Sequence, residues 1–313
     1  MTTHDLYGGS PHDEPAEPES YGLAPSGYRL PAATRLGAVR LQVADLERSL
    51  GFYTRTLGFR VVGREGDVAS LAPQDDDRIL VEVVARAGTR PAGRRGTLGI
   101  FHFAILLPDR ASLGRFVRHG AEQRIPMGAG DHLVSEAFYL SDPDGIGIEV
   151  YADRPRSAWR RQGRELMMAT DPVDVPALLE AAGDAPWAGM PPGTVIGHLH
   201  LHVGDLERGR AFYSDALGFD RMAWRYPGAL FLGAGGYHHH LGTNTWAGAG
   251  ARAPAEDDAK LLHWTIELPT PADLEAVRAS LASAAYAADA VAPGTVMTRD
   301  PWGTGLQLRA ASG

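Results

Sequence analysis

The chain contains an internal repeat whose two copies lie 160 residues apart. Residues 36–59 read LGAVRLQVADLERSLGFYTRTLGF, and residues 196–219 read IGHLHLHVGDLERGRAFYSDALGF. The DLER run, the FY pair and the final LGF keep their register in both copies, which indicates a duplicated structural unit. One position changes its chemistry, because His198 in the second copy stands where the first copy has Ala38.

Each copy predicts a βαβββ module. Asp45 and Asp205 stand where a helix N-cap belongs, and Gly58 and Gly218 stand where the helix should end. Weaker copies follow both long repeats, and each carries an Asp-Pro-x-Gly turn between its last two strands. The four modules therefore begin near residues 36, 100, 196 and 261.

The modules predict an α+β fold with the chain organised in two halves. Modules 1 and 2 occupy 34–151, and modules 3 and 4 occupy 193–313. The Pro-rich stretch 152–192 is expected to link the halves. Residues 1–33 are acidic and rich in Pro and Gly without an apolar core, so we expect a disordered or loosely docked tail and not a signal peptide.

Charge and cysteine content narrow the classes of function. A net charge of −8 without a Lys/Arg run argues against a nucleic-acid partner. No apolar run approaches the length of a transmembrane helix, so no membrane partner is expected. The absence of cysteine excludes thiolate ligands and a Cys nucleophile, and it fits a reducing, cytoplasmic location.

The register of the modules identifies candidate metal ligands. One position of the first strand is occupied, in module order, by Ala38, His102, His198 and His263. In the last strands Glu149 aligns with Gln307, and the strand predicted over 237–242 in module 3 carries three consecutive histidines. Two imidazoles and one carboxylate form the facial triad of non-haem Fe(II) oxygenases. Only modules 2 and 3 together supply it, as His102, His198 and Glu149.

Each ligand also has a structural alternative. His102 lies on an apolar strand and could be a buried histidine with a hydrogen-bond partner. Glu149 could be an edge-strand carboxylate, although inside the apolar run GIGIEVY it would need a partner. In a regular strand His238 and His240 share one face and His239 the other, so at most two of them can face one site.

The module pattern, with histidine on strand 1 and a carboxylate on strand 4, resembles the vicinal oxygen chelate superfamily of glyoxalase I, bleomycin-resistance proteins and extradiol dioxygenases. The chain is most similar to the bacterial catechol-2,3-dioxygenase group called CatE-like, over about residues 36–311. The matching segments are FHFAILLPDR (101–110), GDHLVSEAFYLSDPDG (130–145), GIEVYADRPRSAW (147–159), IGHLHLHVGDL (196–206) and GGYHHHLGTNTWAG (235–248). The resemblance implies two cup-shaped mixed sheets with flanking helices.

The resemblance also implies roles for further residues. His239, with His240 as the alternative, takes the position of an acid/base histidine. His132 takes that of an assisting histidine, and Tyr139 that of a tyrosine near the substrate hydroxyl. His132 could equally be a solvated loop histidine, and Tyr139 a core aromatic. Typical extradiol enzymes build this site from modules 3 and 4, but here the full complement of residues predicts that modules 2 and 3 share one cup.

The sequence thus predicts an Fe(II)-dependent extradiol dioxygenase that cleaves a small aromatic diol with O2. Mn(II) fits the same ligands. The alternatives are a glyoxalase-like isomerase or lyase, a tailoring enzyme of secondary metabolism, and a metal-free binding or resistance protein. The residues Trp224, Tyr226, Trp246 and Trp264 suggest an aromatic pocket. A homo-oligomer is compatible with the sequence, which leaves the oligomeric state and the exact substrate open.

Overall fold

The structure is a computed structural model that describes residues 1–8, 13–93 and 95–311. It begins with helix α1 (Thr3–Tyr7) and the two-residue strand β1 (Glu14–Pro15). Module 1 consists of β2 (Arg35–Val43), α2 (Leu46–Arg55), β3 (Arg60–Glu65), β4 (Val68–Ala72) and β5 (Val81–Ala85). Module 2 consists of β6 (Gly99–Leu106), α3 (Arg110–Glu122), β7 (Gly128–Asp131), β8 (Ser135–Ser141) and β9 (Gly147–Asp153).

The second half of the chain repeats this order. The linking stretch contains β10 (Arg160–Gln162), β11 (Glu165–Leu166) and α4 (Val175–Ala181). Module 3 consists of β12 (Val195–His202), α5 (Leu206–Arg210) with a π-helical continuation over Ala211–Ala216, β13 (Asp220–Ala223), β14 (Ala229–Gly233) and β15 (Leu241–Asn244). Module 4 consists of β16 (Lys260–Leu268), α6 (Pro271–Ser283), β17 (Ala288–Ala292), β18 (Thr295–Arg299) and β19 (Gly305–Ala310).

The modules form two eight-stranded mixed sheets, and each sheet takes one module from each half of the chain. The order in the first, which we call the 2–3 sheet, is β13-β14-β15-β12-β6-β9-β8-β7. The order in the second, the 1–4 sheet, is β17-β18-β19-β16-β2-β5-β4-β3. The predicted α+β class and the pairing of modules 2 and 3 are therefore confirmed. None of the helices among the described residues is both long and apolar enough to cross a membrane.

The repeated sequence motifs have local structural causes. Asp45 and Asp205 cap their helices by accepting hydrogen bonds from the backbone N–H groups of Arg48 and Arg208, each at 2.7 Å. Gly58 and Gly218 follow these helices with φ of +82° and +101°. Side chains with a Cβ rarely adopt that conformation, which explains why both LGF ends keep glycine.

The tyrosine of each FY pair joins one sheet to the other. Tyr53 of module 1 donates to the Asp142 carboxylate in the Asp-Pro turn of module 2, at 3.3 Å. Tyr213 of module 3 donates to Asp300 in the corresponding turn of module 4, at 2.8 Å. Both tyrosines are fully buried, so these bonds tie the sheets together where water cannot replace them.

The described part of the segment 1–33 is docked on the rest of the chain. Arg29 forms two hydrogen bonds to Asp220, at 2.8 and 2.6 Å, and Leu30 is buried in the main core. Strand β1 pairs with β10 in a small three-stranded sheet with β11. Of the two expected alternatives, the described part of this segment adopts the docked one, because its apolar and charged side chains find partners that only the folded second half provides. Residues 9–12 lie outside the described part.

We predict that Tyr213→Phe destabilises the protein more than Tyr53→Phe does. Removing a hydrogen bond to a buried carboxylate costs about 1.5–3 kcal/mol, and the Tyr213 bond is the shorter of the two. Urea denaturation of both variants beside the parent protein would measure the free energies of unfolding. An equal or reversed order would contradict the role assigned to the two bonds.

Candidate metal centre

Three adjacent strands in the middle of the 2–3 sheet bring the predicted triad together. Strand β6 runs parallel to β9, with Ala104 opposite Glu149, and antiparallel to β12, with Ala104 opposite His198. His102 lies two residues before Ala104 and therefore on the same face of the sheet. The small Ala104 side chain thus leaves room for a carboxylate and two imidazoles to converge above it.

The three side chains are buried and nearly touch. Oε2 of Glu149 lies 3.0 Å from Nε2 of His102 and 3.1 Å from Nε2 of His198. Each residue offers one nitrogen or oxygen atom, and these three atoms all lie within 4.8 Å of one another. No other group of three such side chains among the described residues meets this criterion.

Some buried atoms of this cluster lack a hydrogen-bond partner, and a bound cation explains their arrangement better than hydrogen bonds within the cluster do. Nε2 of His102 has no hydrogen-bond partner in the described chain despite its contact with Glu149, and neither does Oε1 of Glu149. Ligands that occupy neighbouring corners of an octahedron at about 2.1 Å from a metal lie roughly 3 Å apart. The two nitrogen-to-oxygen separations have this value, so the residues fit a divalent metal.

The protonation states of the cluster also suit a metal. Burial lowers the pKa of His198 to about 4, so its imidazole is neutral and can act as a ligand at neutral pH. Burial by itself raises the pKa of Glu149, but His198 and His102 outweigh this effect and hold the pKa well below its usual range. A neutral imidazole beside an ionised carboxylate is the combination that metal binding requires.

His132 and Tyr139 form a hydrogen-bonded pair on the wall beside the cluster. Nδ1 of His132 lies 2.7 Å from the carbonyl oxygen of Ala169, which can only accept, so Nδ1 carries the proton. Nε2 of His132 then accepts from the Tyr139 hydroxyl at 2.5 Å. Burial, followed by the nearby Glu149 charge, raises the pKa of Tyr139 well above its usual value. The phenol thus keeps its proton and leaves its oxygen lone pairs free to accept.

The three consecutive histidines of module 3 have three different environments. Strand β15 begins at Leu241, so the strand predicted over 237–242 is wrong. Gly235 and Gly236 turn the chain with φ of +59° and +69°, and the histidines follow this turn in irregular backbone. His239 lines the same cavity as the triad, whereas His240 accepts from the backbone N–H of Ala234 and borders a separate cavity.

A hydrogen-bond relay fixes the proton on His239. Asp153 lies 2.9 Å from Nε2 of His238, which therefore donates to the carboxylate. Nδ1 of His238 is then an acceptor, and Nδ1 of His239 lies 2.7 Å from it. Burial also lowers the pKa of His239 well below its usual value. His239 is thus a neutral imidazole with its proton on Nδ1 and an unprotonated Nε2.

The cluster forms the floor of a cavity of about 220 Å³. The predicted site residues His102, His132, Tyr139, Glu149, His198 and His239 all line it. Of the aromatic residues expected in a pocket, Tyr226 and Trp246 line it, while Trp264 is buried elsewhere and Trp224 lies outside it. No pattern in the sequence predicted that Phe101, Phe231 and residues 168–170 would form walls of this cavity.

Residues 168–170 belong to the expected linker, and contacts from the N-terminal segment hold them over the cavity. The Tyr7 hydroxyl accepts from the backbone N–H of Met168 at 2.9 Å. The backbone N–H of Thr170 donates to the carbonyl of Met1 at 2.8 Å. No periodicity or motif marks these contacts, because they depend on segments that meet only in the folded chain.

The equivalent position of the 1–4 sheet lacks a triad. Ala38, His263 and Gln307 line a separate cavity there, as the module register predicted. The carboxylate at that position is replaced by an amide, which hydrogen-bonds to Thr265 at 3.3 Å. Glu82 also lines this cavity, but its carboxylate pairs with Arg40 at 3.1 Å. The remaining uncharged amide and single imidazole provide a poor metal site.

Comparison with known proteins agrees with the fold. The family model described as the Glyoxalase/Bleomycin resistance protein/Dioxygenase superfamily matches residues 35–150 and 195–307. The chain belongs to this superfamily. The two matched regions correspond to modules 1 and 2 and to modules 3 and 4.

Individual relatives include enzymes of two chemistries. A catechol-2,3-dioxygenase of Bacillus subtilis (strain 168) is 45% identical over 256 residues, which cover 81% of this chain and 89% of that protein. A solved Bacillus subtilis structure, proposed to be a dioxygenase, has a TM-score of 0.60 at 13% identity and covers 91% of this chain and 86% of that one. Glyoxalase I from Zea mays has a TM-score of 0.51 at 18% identity, covering 89% and 92%. The two structures share the superfamily fold with this chain.

We predict that Glu149→Gln lowers bound Fe(II) at least about tenfold, since it removes the anionic ligand of a three-residue site. The change copies the amide that the 1–4 sheet already has at Gln307. Gln307→Ala is the matched control and should keep one iron per chain, measured after anaerobic loading and desalting. Undiminished iron in Glu149→Gln, or loss in Gln307→Ala, would contradict the assignment.

Proposed function

We propose that this protein is an Fe(II)-dependent extradiol dioxygenase that cleaves a catechol-type diol with O2. The observation that carries the proposal is the convergence of His102, His198 and Glu149 with His239 and Tyr139 in one cavity. The 45% identity to a catechol-2,3-dioxygenase over most of the chain supports it. A divalent iron held by the triad would supply the redox chemistry and the open coordination positions that O2 and a diol require.

His239 is suited to remove a proton from the diol. Its unprotonated Nε2 belongs to a ring whose centroid lies 4.1 Å from that of His198. A base beside a metal ligand can accept a proton from a hydroxyl as the diol binds and return it later, which is general acid–base catalysis. The relay through His238 to Asp153 keeps a proton on Nδ1 of His239, so that Nε2 is the atom that takes the proton from the diol.

Tyr139 is suited to orient the diol. Its hydroxyl proton is committed to His132, so its oxygen accepts a hydrogen bond from a substrate hydroxyl. Phe101, Phe231 and Trp246 supply aromatic surface on the cavity wall. A flat ring can pack against these side chains while its hydroxyl groups face the polar floor.

The alternative chemistries have less support. A glyoxalase-like isomerase resembles this chain in fold but uses a second carboxylate, and Glu149 is the only acidic residue among the described residues lining the cavity. A metal-free binding protein would not need buried histidines arranged around a carboxylate. The choice of iron over manganese, the cytoplasmic location and the tailoring-enzyme alternative stay predictions from the sequence.

Anaerobic loading with Fe(II), followed by oxygen-uptake measurements with catechols, tests the proposal directly. We expect oxygen consumption together with formation of a ring-opened product, and no uptake by Glu149→Gln. Iron-loaded protein that binds catechols but consumes no oxygen would refute the dioxygenase function. The same assay after loading with Mn(II) would decide between the two metals.

Substitution of two adjacent histidines separates catalysis from packing. We predict that His239→Gln slows turnover by about 10²–10⁴-fold, the usual contribution of a general acid–base residue, while iron stays bound. His240→Gln is the matched control and should change mainly stability, because His240 packs on Phe219 outside the cavity. Equal effects of the two substitutions on turnover would show that the role of His239 is wrong.

A further inference from the structure

His200 brings to the cavity a polar atom that the proposed chemistry does not use. Its side chain lines the cavity, and its Nε2 is buried without a hydrogen-bond partner among the described residues. Every other polar side chain that lines the cavity has a hydrogen-bond partner or a role in the proposed function. The triad serves the metal, His132 and Tyr139 bind one another, His239 joins the relay, and Thr170 bonds to Tyr226 at 3.2 Å.

The position of His200 suits a ring substituent better than the reacting hydroxyl groups. His200 follows His198 by two residues on β12, so both side chains point to the same face, displaced by roughly 7 Å along the strand. Its ring lies 5.1 Å, between centroids, from that of its cross-strand neighbour His102, and 5.3 to 5.7 Å from those of Phe101, Phe231 and Trp246. It is not a member of the cluster that can hold a metal. A diol seated over the triad would therefore extend its far edge towards His200.

The neighbouring strand is adapted to this imidazole. Gly242 of β15 lies directly opposite His200 in the sheet. A Cβ at Gly242 would come within 3.0 Å of the His200 ring, so any larger residue would push the ring away. The duplicated position in module 1 holds Glu82. The absence of a side chain at 242 leaves the space that the imidazole occupies.

The surroundings determine which substituent would bind. A buried unpaired nitrogen gains most from a ligand that supplies its missing hydrogen bond. The described residues that line the cavity include neither lysine nor arginine. A carboxylate near His200 would therefore be buried without a lysine or arginine side chain to pair with, which is costly. An uncharged oxygen group has no such cost.

We propose that His200 is a specificity-determining residue that hydrogen-bonds an uncharged, oxygen-bearing substituent on the catechol ring, such as a hydroxymethyl, acyl or amide group. This inference rests on the proposed function, because it takes the bound ligand to be a diol over the triad. It assigns the enzyme to ring cleavage of oxygen-substituted catechols in preference to alkylcatechols of the same size.

The test uses two pairs of ligands, each formed by one methylcatechol and the corresponding hydroxymethylcatechol. Calorimetry measures their binding to the iron-loaded protein without oxygen. The parent protein should bind the hydroxymethyl member of at least one pair about three- to tenfold more tightly, the value of one net hydrogen bond. His200→Leu should remove or invert this preference, and His200→Gln should restore part of it. Iron content should stay unchanged in both variants.

Two further variants keep the test decisive. His202→Leu is the matched control, because His202 lies on the same strand but bonds to Asn244 outside this cavity, and the preference should persist. Gly242→Ala should weaken the preference by displacing the His200 ring, and it tests the proposal even where His200→Leu fails to fold.

The outcomes distinguish this inference from the proposed function. A parent protein that prefers the methyl member of both pairs, or a preference that survives both His200→Leu and Gly242→Ala, would overturn the role of His200. Iron loss in His200→Leu would also overturn it, by placing His200 in the metal centre. Missing oxygen uptake with every diol refutes the dioxygenase function alone, because binding is read without oxygen. Failure to bind any diol refutes both.

Discussion

The candidate site depends on the register of β6 between its two neighbours. Because β9 runs parallel and β12 antiparallel to β6, Glu149 and His198 are both opposite the same small residue, Ala104. A shift of one residue in either pairing would turn one ligand to the opposite face of the sheet. The buried cluster and the displacement of His200 from His198 along β12 both follow from this alignment of three strands.

Duplication of the module has produced one sheet that carries the candidate site and a second sheet that does not. Both sheets are built from the same βαβββ units, yet only the 2–3 sheet keeps two histidines and a carboxylate at its centre. The 1–4 sheet has Ala38 and Gln307 at the equivalent positions and is connected to the other sheet by the buried Tyr53 and Tyr213 bonds. One copy can therefore contribute stability without the energetic cost of burying a charged cluster.

The cavity is completed by segments outside the repeat. Residues 168–170 cover the floor formed by the triad, and they are held there by Tyr7 and Met1 of the N-terminal segment. These contacts determine how large a ligand can be, whereas the strands determine what chemistry it meets. Functional diversity within one fold commonly arises in this way, from connecting segments placed on a rigid scaffold.

The sequence by itself determined the modules, the α+β class and the types of ligand, because a repeat in register, N-cap aspartates and Asp-Pro turns are local signals. Alignment of the modules alone was enough to single out His102, His198 and Glu149. Only the tertiary structure decided that His239 faces the cavity and His240 does not, since the histidines follow a glycine turn where strand alternation does not apply. It also decided that the N-terminal segment is docked and that His200 lies unpaired among aromatic rings. Those features depend on contacts between segments that are distant in the chain, and no local sequence pattern predicts such contacts.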